Sequence, residues 1–336
     1  MQGCNVSKSR ICRCSHSRGR TTVINRNLRI AVVNGGQSAE ADVSRSSARG
    51  VVKALSENYE QVASIELDQR ITASLQAFSA DVVFPVLHGP PGEDGTFQGF
   101  LEILDYLYVG SDVQASAFAM DKIIAKNIFA EAGLPLARQI MVNESAGVAA
   151  AADQIVKELG SYVVVKPSSQ GSALGVALID DENQLHEALE LAFTFDRRLL
   201  VEERIDGREI TVGIIDTSQG CEAFPVIEIK TPESSWYDFE HRYTEGLSEH
   251  IMPADLPENL SKELQAFAVT AHQSLGCRDL SRADFIVAGD DSYLLEVNTL
   301  PGMTPTSLYP DGAAGFGLDF ASLVSHLVER AAARHP

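Results

Sequence analysis

Little in this 336-residue sequence points to the cell exterior or to a membrane. It holds five cysteines, Cys4, Cys12, Cys14, Cys221 and Cys277, too few and too scattered for the disulfide framework of a small secreted domain. Cys12, Cys14 and His16 match no common zinc spacing. A reducing compartment and a cytoplasmic location are the simpler expectation. No apolar run approaches the roughly 18 residues that span a bilayer, so no membrane partner is expected. Acidic residues are missing from the first 29 positions, which carry seven Lys and Arg. This basic leader, residues 1–27, also lacks a long apolar segment and is not a secretory signal. A transit peptide, a disordered arm and an overlong start remain open, and the leader stands outside the fold argument. Beyond it, 20 basic and 46 acidic residues leave a charge of −26. Such a body repels nucleic acid, yet a nucleotide can still be held by local lysines, backbone N–H groups and Mg²⁺. There is no internal repeat.

What is present suits a soluble enzyme of two or three domains: 45% hydrophobic and 22% charged residues. The body opens with the apolar run "LRIAVVNGG". "QVASIEL" and "DVVFPVL" follow, separated by helical sequence, an alternation that predicts a parallel sheet with crossover helices. "HGPPGEDG" (88–95) is a loop by its Pro and Gly content, at a strand end where ligands bind in open α/β sheets. From Asp112 the pattern changes. "AFAMDKIIAKNIFAEAGLP" reads as one helix stopped by Gly133 and Pro135. "RQIMV", a helix near 146–158, "YVVVKP", "GVALI", another helix and "RLLVEER" then form an α+β unit. A third unit starts at "REITVGII" and holds helices near 257–275 and 318–334. The expected boundaries are 28–111, 112–205 and 206–336.

Five stretches can carry chemistry. In "LLEVNTLPGMTPTSL" a buried strand ends in Glu296 and Asn298, two apart and therefore on one face. "RADFIVAGDDSYLLEVN" reads as a hairpin that would bring Asp284, with Arg282 on the same face, beside that pair. Two carboxylates and an amide oxygen suit Mg²⁺, and unneutralised they would cost several kcal/mol. "VVVKPSSQGSALGV" places Lys166 before a Gly/Ser loop whose N–H groups can approach phosphate. It is not a P-loop, because its lysine precedes the glycines. Lys122 in "MDKIIAK", and Glu202, Glu203 and Glu209 around a Gly turn, are weaker candidates, with solvated surface as the bland reading.

"GGQSAEADVS", "HGPPGEDGTFQG", "MDK", "VVVKPSSQGSALGV", "WYDFEHRYTEG", "RADF" and "LLEVNTLPGMTPTSL" follow one another as in the D-alanine–D-alanine ligases. The chain resembles that family of ATP-grasp enzymes over about residues 28–334. The resemblance implies a three-domain ATP-grasp fold of α/β and α+β class, with an N-terminal parallel, Rossmann-like α/β domain. It implies ATP and two Mg²⁺ ions, replaceable by Mn²⁺, as cofactors, and D-alanine as the small-molecule substrate. A cytoplasmic homodimer serving peptidoglycan synthesis is expected.

Carried over by motif, Lys122, Lys166 and Arg242 would contact ATP phosphates. Glu202 and Glu209 would hold the adenine and ribose end. Asp284, Glu296 and Asn298 would hold the metals. Arg282 and the N–H of Gly302 would stabilise an oxyanion. Glu40 would pair with the first D-alanine ammonium near His88, and Ser307 with Leu308 would take the second carboxylate. Ser172 and Tyr243 would complete a network with Glu40 that favours an amine over a hydroxyl acceptor. The stretch 230–246 would be a lid excluding water. Two departures stand out: Arg242 replaces the usual lysine, and Gln170 stands where Glu is frequent. A D-serine or D-lactate ligase, another carboxylate–amine ligase, and a nucleotide-binding regulator without turnover remain the competing readings.

Overall fold

The structure is a computed structural model that describes residues 25–38, 40–232, 246–304 and 307–334. Arg242 and Tyr243, most of the 230–246 stretch and nearly all of the leader lie outside them. The first apolar runs become β1 (Arg29–Asn34), β2 (Gln61–Glu66), β3 (Val82–Pro85) and β4 (Leu107–Tyr108), a wholly parallel sheet in the order β2-β1-β3-β4. β1 and β3 are buried on both faces, as continuous Val/Ile runs require when helices cover both sides. The covering helices are α1 (Ala41–Leu55), α2 (Ile71–Phe78) and α3 (Thr96–Ile103). The 88–95 loop leaves the C-terminal end of β3, as expected.

The segment expected to be one helix is two, α4 (Val113–Met120) and α5 (Lys122–Glu131). Asp121 between them is extended, and its carboxylate accepts from the N–H groups of Ile123 and Ile124. A side chain that caps a helix competes with helix continuation. A second, antiparallel sheet follows: β5 (Gln139–Asn143), β8 (Arg198–Glu203), β6 (Val163–Pro167) and β7 (Ala177–Ile179), in that spatial order. It carries α6 (Val148–Leu159) and α7 (Leu185–Phe193) on one face, around Val142, Ile155, Val165 and Leu189.

The third sheet is antiparallel: β12 (Glu249–Ile251), β11 (Ile227–Lys230), β9 (Arg208–Thr217), β13 (Leu280–Ala288) and β14 (Asp291–Asn298), with β10 (Gly220–Ala223) also on β9. One face, bearing Ile210, Val212, Ile214, Ala283 and Phe285, packs on α8 (Glu258–Leu275) and on Phe129 of α5. The chain ends in α9 (Leu308–Phe316) and α10 (Phe320–Ala332). These pack their Tyr309, Leu323, Leu327 and Val328 against Val32 and Phe84 of the first sheet and Val51 of α1. The end of the chain thus sits between the first and third sheets. No helix among the described residues is long and apolar enough to cross a membrane.

Candidate active site

Two cavities lie along the seam of the three sheets. The larger is a cleft of about 540 Å³ between the second and third sheets. Its apolar walls come from Val164, Leu178, Ile229, Ile286 and Leu295, its polar groups from Lys122, Lys166, Glu202, Glu209 and Glu296. The smaller, about 80 Å³, is lined by Glu40, His88, Glu93, Arg282, Asn298 and Gly302. Lys122, Ser172 and Glu296 border both. A large apolar slot therefore opens at its charged end into a small polar chamber.

The β13–β14 hairpin builds the junction. Its register pairs Asp284 with Glu296 and Arg282 with Asn298, so all four side chains share a face. A shift between Asp284 and Phe285 bulges β14. Bulges re-aim side chains, and here Leu295 and Glu296, neighbours in sequence, both line the cleft. The Asp284 carboxylate is fully engaged. The Arg282 guanidinium forks onto it through Nε at 2.8 Å and Nη2 at 2.7 Å. Thr211 Oγ1 donates at 2.6 Å and Asn298 Nδ2 at 3.0 Å. Lys122 Nζ stands 3.3 Å from Glu296 Oε2 and donates to the Gln170 carbonyl at 2.8 Å. Two carboxylates and one carboxamide on one face of the hairpin fit a hard divalent cation by donor chemistry. Arg282 and Lys122 balance their charge in this structure.

Lys166 and Lys126 both ion-pair with Glu202, Lys126 at 2.7 Å. Burial alone would push the Glu202 carboxyl up, but the two ammonium groups overcome it and hold it down at about 2. Lys126 also donates to the Leu294 carbonyl at 2.6 Å. Glu209, on β9 opposite Ile229 and Ile286, lines the cleft. Lys122 and Glu202, for which solvated surface is the bland reading, are both largely buried.

The small chamber is closed by loops. Glu40 is buried at the start of α1 and accepts a hydrogen bond from the Ser172 hydroxyl. Ser172 and Ala173 have φ of 49° and 59°, left-handed backbone that costs non-glycine residues about 1–2 kcal/mol each. The loop holds that strain while pointing Ser172 at Glu40. His88 is buried, and its Nε2 makes no hydrogen bond among the described residues. Burial pulls its pKa down, Glu40 raises it and Arg282 lowers it further, which keeps the ring neutral. A Cβ at Gly302 would meet Ser307 Oγ at 2.7 Å, so a side chain there would turn the Ser307 hydroxyl out of its present place. Ser307 precedes α9, and its Oγ accepts from the Thr304 N–H at 3.0 Å. Leu308 opens the helix, whose first N–H groups have no intrahelical acceptor.

Glu93 and Lys126 belong to this site and were not singled out from the sequence. Glu93 sits inside "HGPPGEDG", and burial pushes its carboxyl up to about 8 against a 2.6 Å hydrogen bond from the Gly89 N–H. Lys126 follows Lys122 by four positions, one helical turn, and that spacing was the available signal.

The family described as "D-ala D-ala ligase C-terminus" matches residues 128–329, and "D-ala D-ala ligase N-terminus" matches 68–111. A D-alanine–D-alanine ligase from Halalkalibacterium halodurans is 42% identical over 304 residues, 90% of this chain and 98% of that protein. One from Geobacter sulfurreducens is 44% identical over 89% of this chain and 93% of that protein. The solved structure of the Bacillus anthracis D-alanine–D-alanine ligase complexed with ATP superposes with a TM-score of 0.78 at 29% identity, covering 91% and 97% of the two chains. The VanG D-Ala:D-Ser ligase from Enterococcus faecalis gives 0.77 at 29%, covering 91% and 99%.

Proposed function

The chain belongs to the D-alanine–D-alanine ligase family, and from that premise we propose that it joins two D-alanines at the expense of ATP, for peptidoglycan precursor synthesis. The supporting observation is that cleft and chamber meet at Lys122, Ser172 and Glu296. A nucleotide in the apolar slot would thereby present its terminal phosphate to a carboxylate in the chamber.

In this reading ATP transfers its γ-phosphoryl group to the carboxylate of the first D-alanine, releasing ADP. The amine of the second D-alanine attacks the acyl phosphate, loses a proton, and phosphate leaves the tetrahedral intermediate. Lys122 and Lys166 hold phosphates, and the Ser172 loop covers them. Glu202 and Glu209 serve the adenine and ribose end, Glu202 while fixing Lys166. Glu40 takes the first ammonium, with neutral His88 beside it. Arg282 and the Gly302 N–H stabilise the oxyanion. Ser307 and the Leu308 N–H, at a helix N-terminus, receive the second carboxylate. Two Mg²⁺ ions on Asp284, Glu296 and Asn298, replaceable by Mn²⁺, would neutralise charge on the transferring phosphoryl group. Arg242 and Tyr243 keep the roles their motif implies: a phosphate contact, and selection of an amine acceptor. The division 28–111, 112–205 and 206–336, a homodimer and a cytoplasmic setting belong to the same proposal.

The test is ADP release with Mg·ATP and D-alanine, beside L-alanine, D-serine and D-lactate, with products identified by mass. Turnover confined to D-alanine, yielding the dipeptide, is expected. A mixed D-Ala–D-Ser product would move the acceptor towards that of the VanG enzyme. Arg282→Ala and Asp284→Ala are each expected to lose about 10²-fold or more in turnover while melting cooperatively. Full activity in both would overturn the site.

A further inference from the structure

On the face of the third sheet that packs on α8, away from both cavities, three ligand atoms converge. Asp216 on β9 and Cys221 on β10 are direct partners across a hairpin, and Sγ lies 2.9 Å from Asp216 Oδ1. His272, in the last turn of α8, places Nε2 3.5 Å from the same oxygen. The three ligand atoms all lie within 4.8 Å of one another. We propose that Asp216, Cys221 and His272 form a binding site for a divalent metal ion of the zinc class.

The second observation is the imidazole itself. His272 is 1% exposed, and its Nε2 makes no hydrogen bond among the described residues. Its Nδ1 lies 2.8 Å from the hydroxyl of buried Ser281. The Ser281 hydroxyl can accept from Nδ1–H, and in that tautomer the Nε2 lone pair is presented to a metal, the way metal-ligating histidines are held. Nε2 faces Asp216 Oδ1 at 3.5 Å, too long for a good hydrogen bond and short enough for one ion to bridge both. The other carboxylate oxygen is already occupied, by the Asp279 N–H at 2.9 Å and Arg330 at 3.4 Å, so Oδ1 is the one turned to the cluster. Thiolate, imidazole and carboxylate form a zinc donor set. The thiolate disfavours Mg²⁺ and Ca²⁺. Binding would release the Cys221 thiol proton to solvent. The site is separate from the reaction chamber: Thr211, which touches Asp284, is five residues back along β9, roughly 17 Å, and faces the other side.

The experiment uses the full chain with Cys4→Ser, Cys12→Ser and Cys14→Ser, which removes the leader thiols. Zinc content is measured after chelation, reloading and dialysis, and Co²⁺ is added as a spectroscopic probe. One zinc per chain and a near-ultraviolet thiolate-to-cobalt band are expected. Adding Cys221→Ser, a half-buried and nearly isosteric change, should abolish the band and bring zinc to background. Ser281→Ala should weaken zinc binding about 10- to 100-fold, the cost of losing an outer partner. No zinc in the parent, or a band and zinc content that survive Cys221→Ser, would overturn the site.

Discussion

Glu93 shows how one buried carboxyl sets a pH dependence for the whole fold. Burial raises its pKa to about 8, and the carboxylates of Glu40 and Glu296 add to the shift while the Gly89 N–H and Arg282 oppose it. Unfolded, the group returns to its ordinary value of 4.5. Between those pH values the folded state therefore binds more proton than the unfolded state, and stability falls as pH rises through the window. The slope from one such group is at most about 1.4 kcal/mol per pH unit. Glu93→Gln keeps a carbonyl oxygen for the Gly89 N–H and cannot titrate. Urea midpoints at pH 5 and pH 8 should fall further for the parent than for the variant. Equal slopes would mean that Glu93 is ionised in the folded state.

At the scale of elements, the sequence was legible where periodicity and packing agree. Both strands of the β13–β14 hairpin alternate, and the two-residue spacing of Arg282 with Asp284 and of Glu296 with Asn298 puts all four on one face, as the register shows. It was illegible where packing overrides propensity. α9 contains Pro310, Gly312 and Gly315, which argue against a helix. Pro310 is tolerated because it lies in the first turn, where the N–H has no intrahelical acceptor. The glycines leave room for close packing: a Cβ at Gly312 would press on Phe224 at 3.1 Å, and one at Gly315 would meet Met252 at 2.5 Å and displace its side chain. The break at Asp121 was missed for a related reason: a capping carboxylate in a run of helix formers looks like surface. That carboxylate also accepts from Ser168 Oγ at 2.8 Å and Arg198 at 2.5 Å, and the next residue is Lys122. Burial pushes the Asp121 pKa up, but Arg198, Ser168 and the Ile124 N–H outweigh it and the net shift is downward. Asp121→Ala is expected to cost about 2 kcal/mol at neutral pH and to raise the KM for ATP several-fold. The stability deficit should shrink as pH falls below 3.8, the ordinary aspartate value. Urea denaturation from pH 7 to pH 3 and initial rates would check both, and an unchanged KM would detach the cap from the nucleotide site.

Across the whole molecule, the seams between sheets were the least legible, because they depend on contacts between residues far apart in sequence, 169 positions for Gly110 and Asp279. Asp279 is fully buried at one seam, on the third sheet's side. Its carboxylate accepts from the Gly110 N–H, just past β4, at 2.9 Å and from Arg334, just past α10, at 2.6 Å. Arg334 also donates to the Tyr108 carbonyl, and the neighbouring Arg278 donates to the Gly110 carbonyl at 2.8 Å while lying 4.9 Å from the Tyr108 ring centre. One buried acid thus ties the first sheet, the last helix and the third sheet together. Its removal would leave the Gly110 N–H buried without its acceptor and take from Arg334 its buried counter-charge, at a cost of about 3–5 kcal/mol. Asp279→Ala spares every residue lining the two cavities, so its effect should fall on how the parts unfold together. Calorimetry of the parent is expected to give one transition. In the variant, the calorimetric enthalpy should exceed the van't Hoff value as the units melt separately. A single transition at the parent's temperature would show that the apolar contacts of α10 and α1 alone hold the sheets in register.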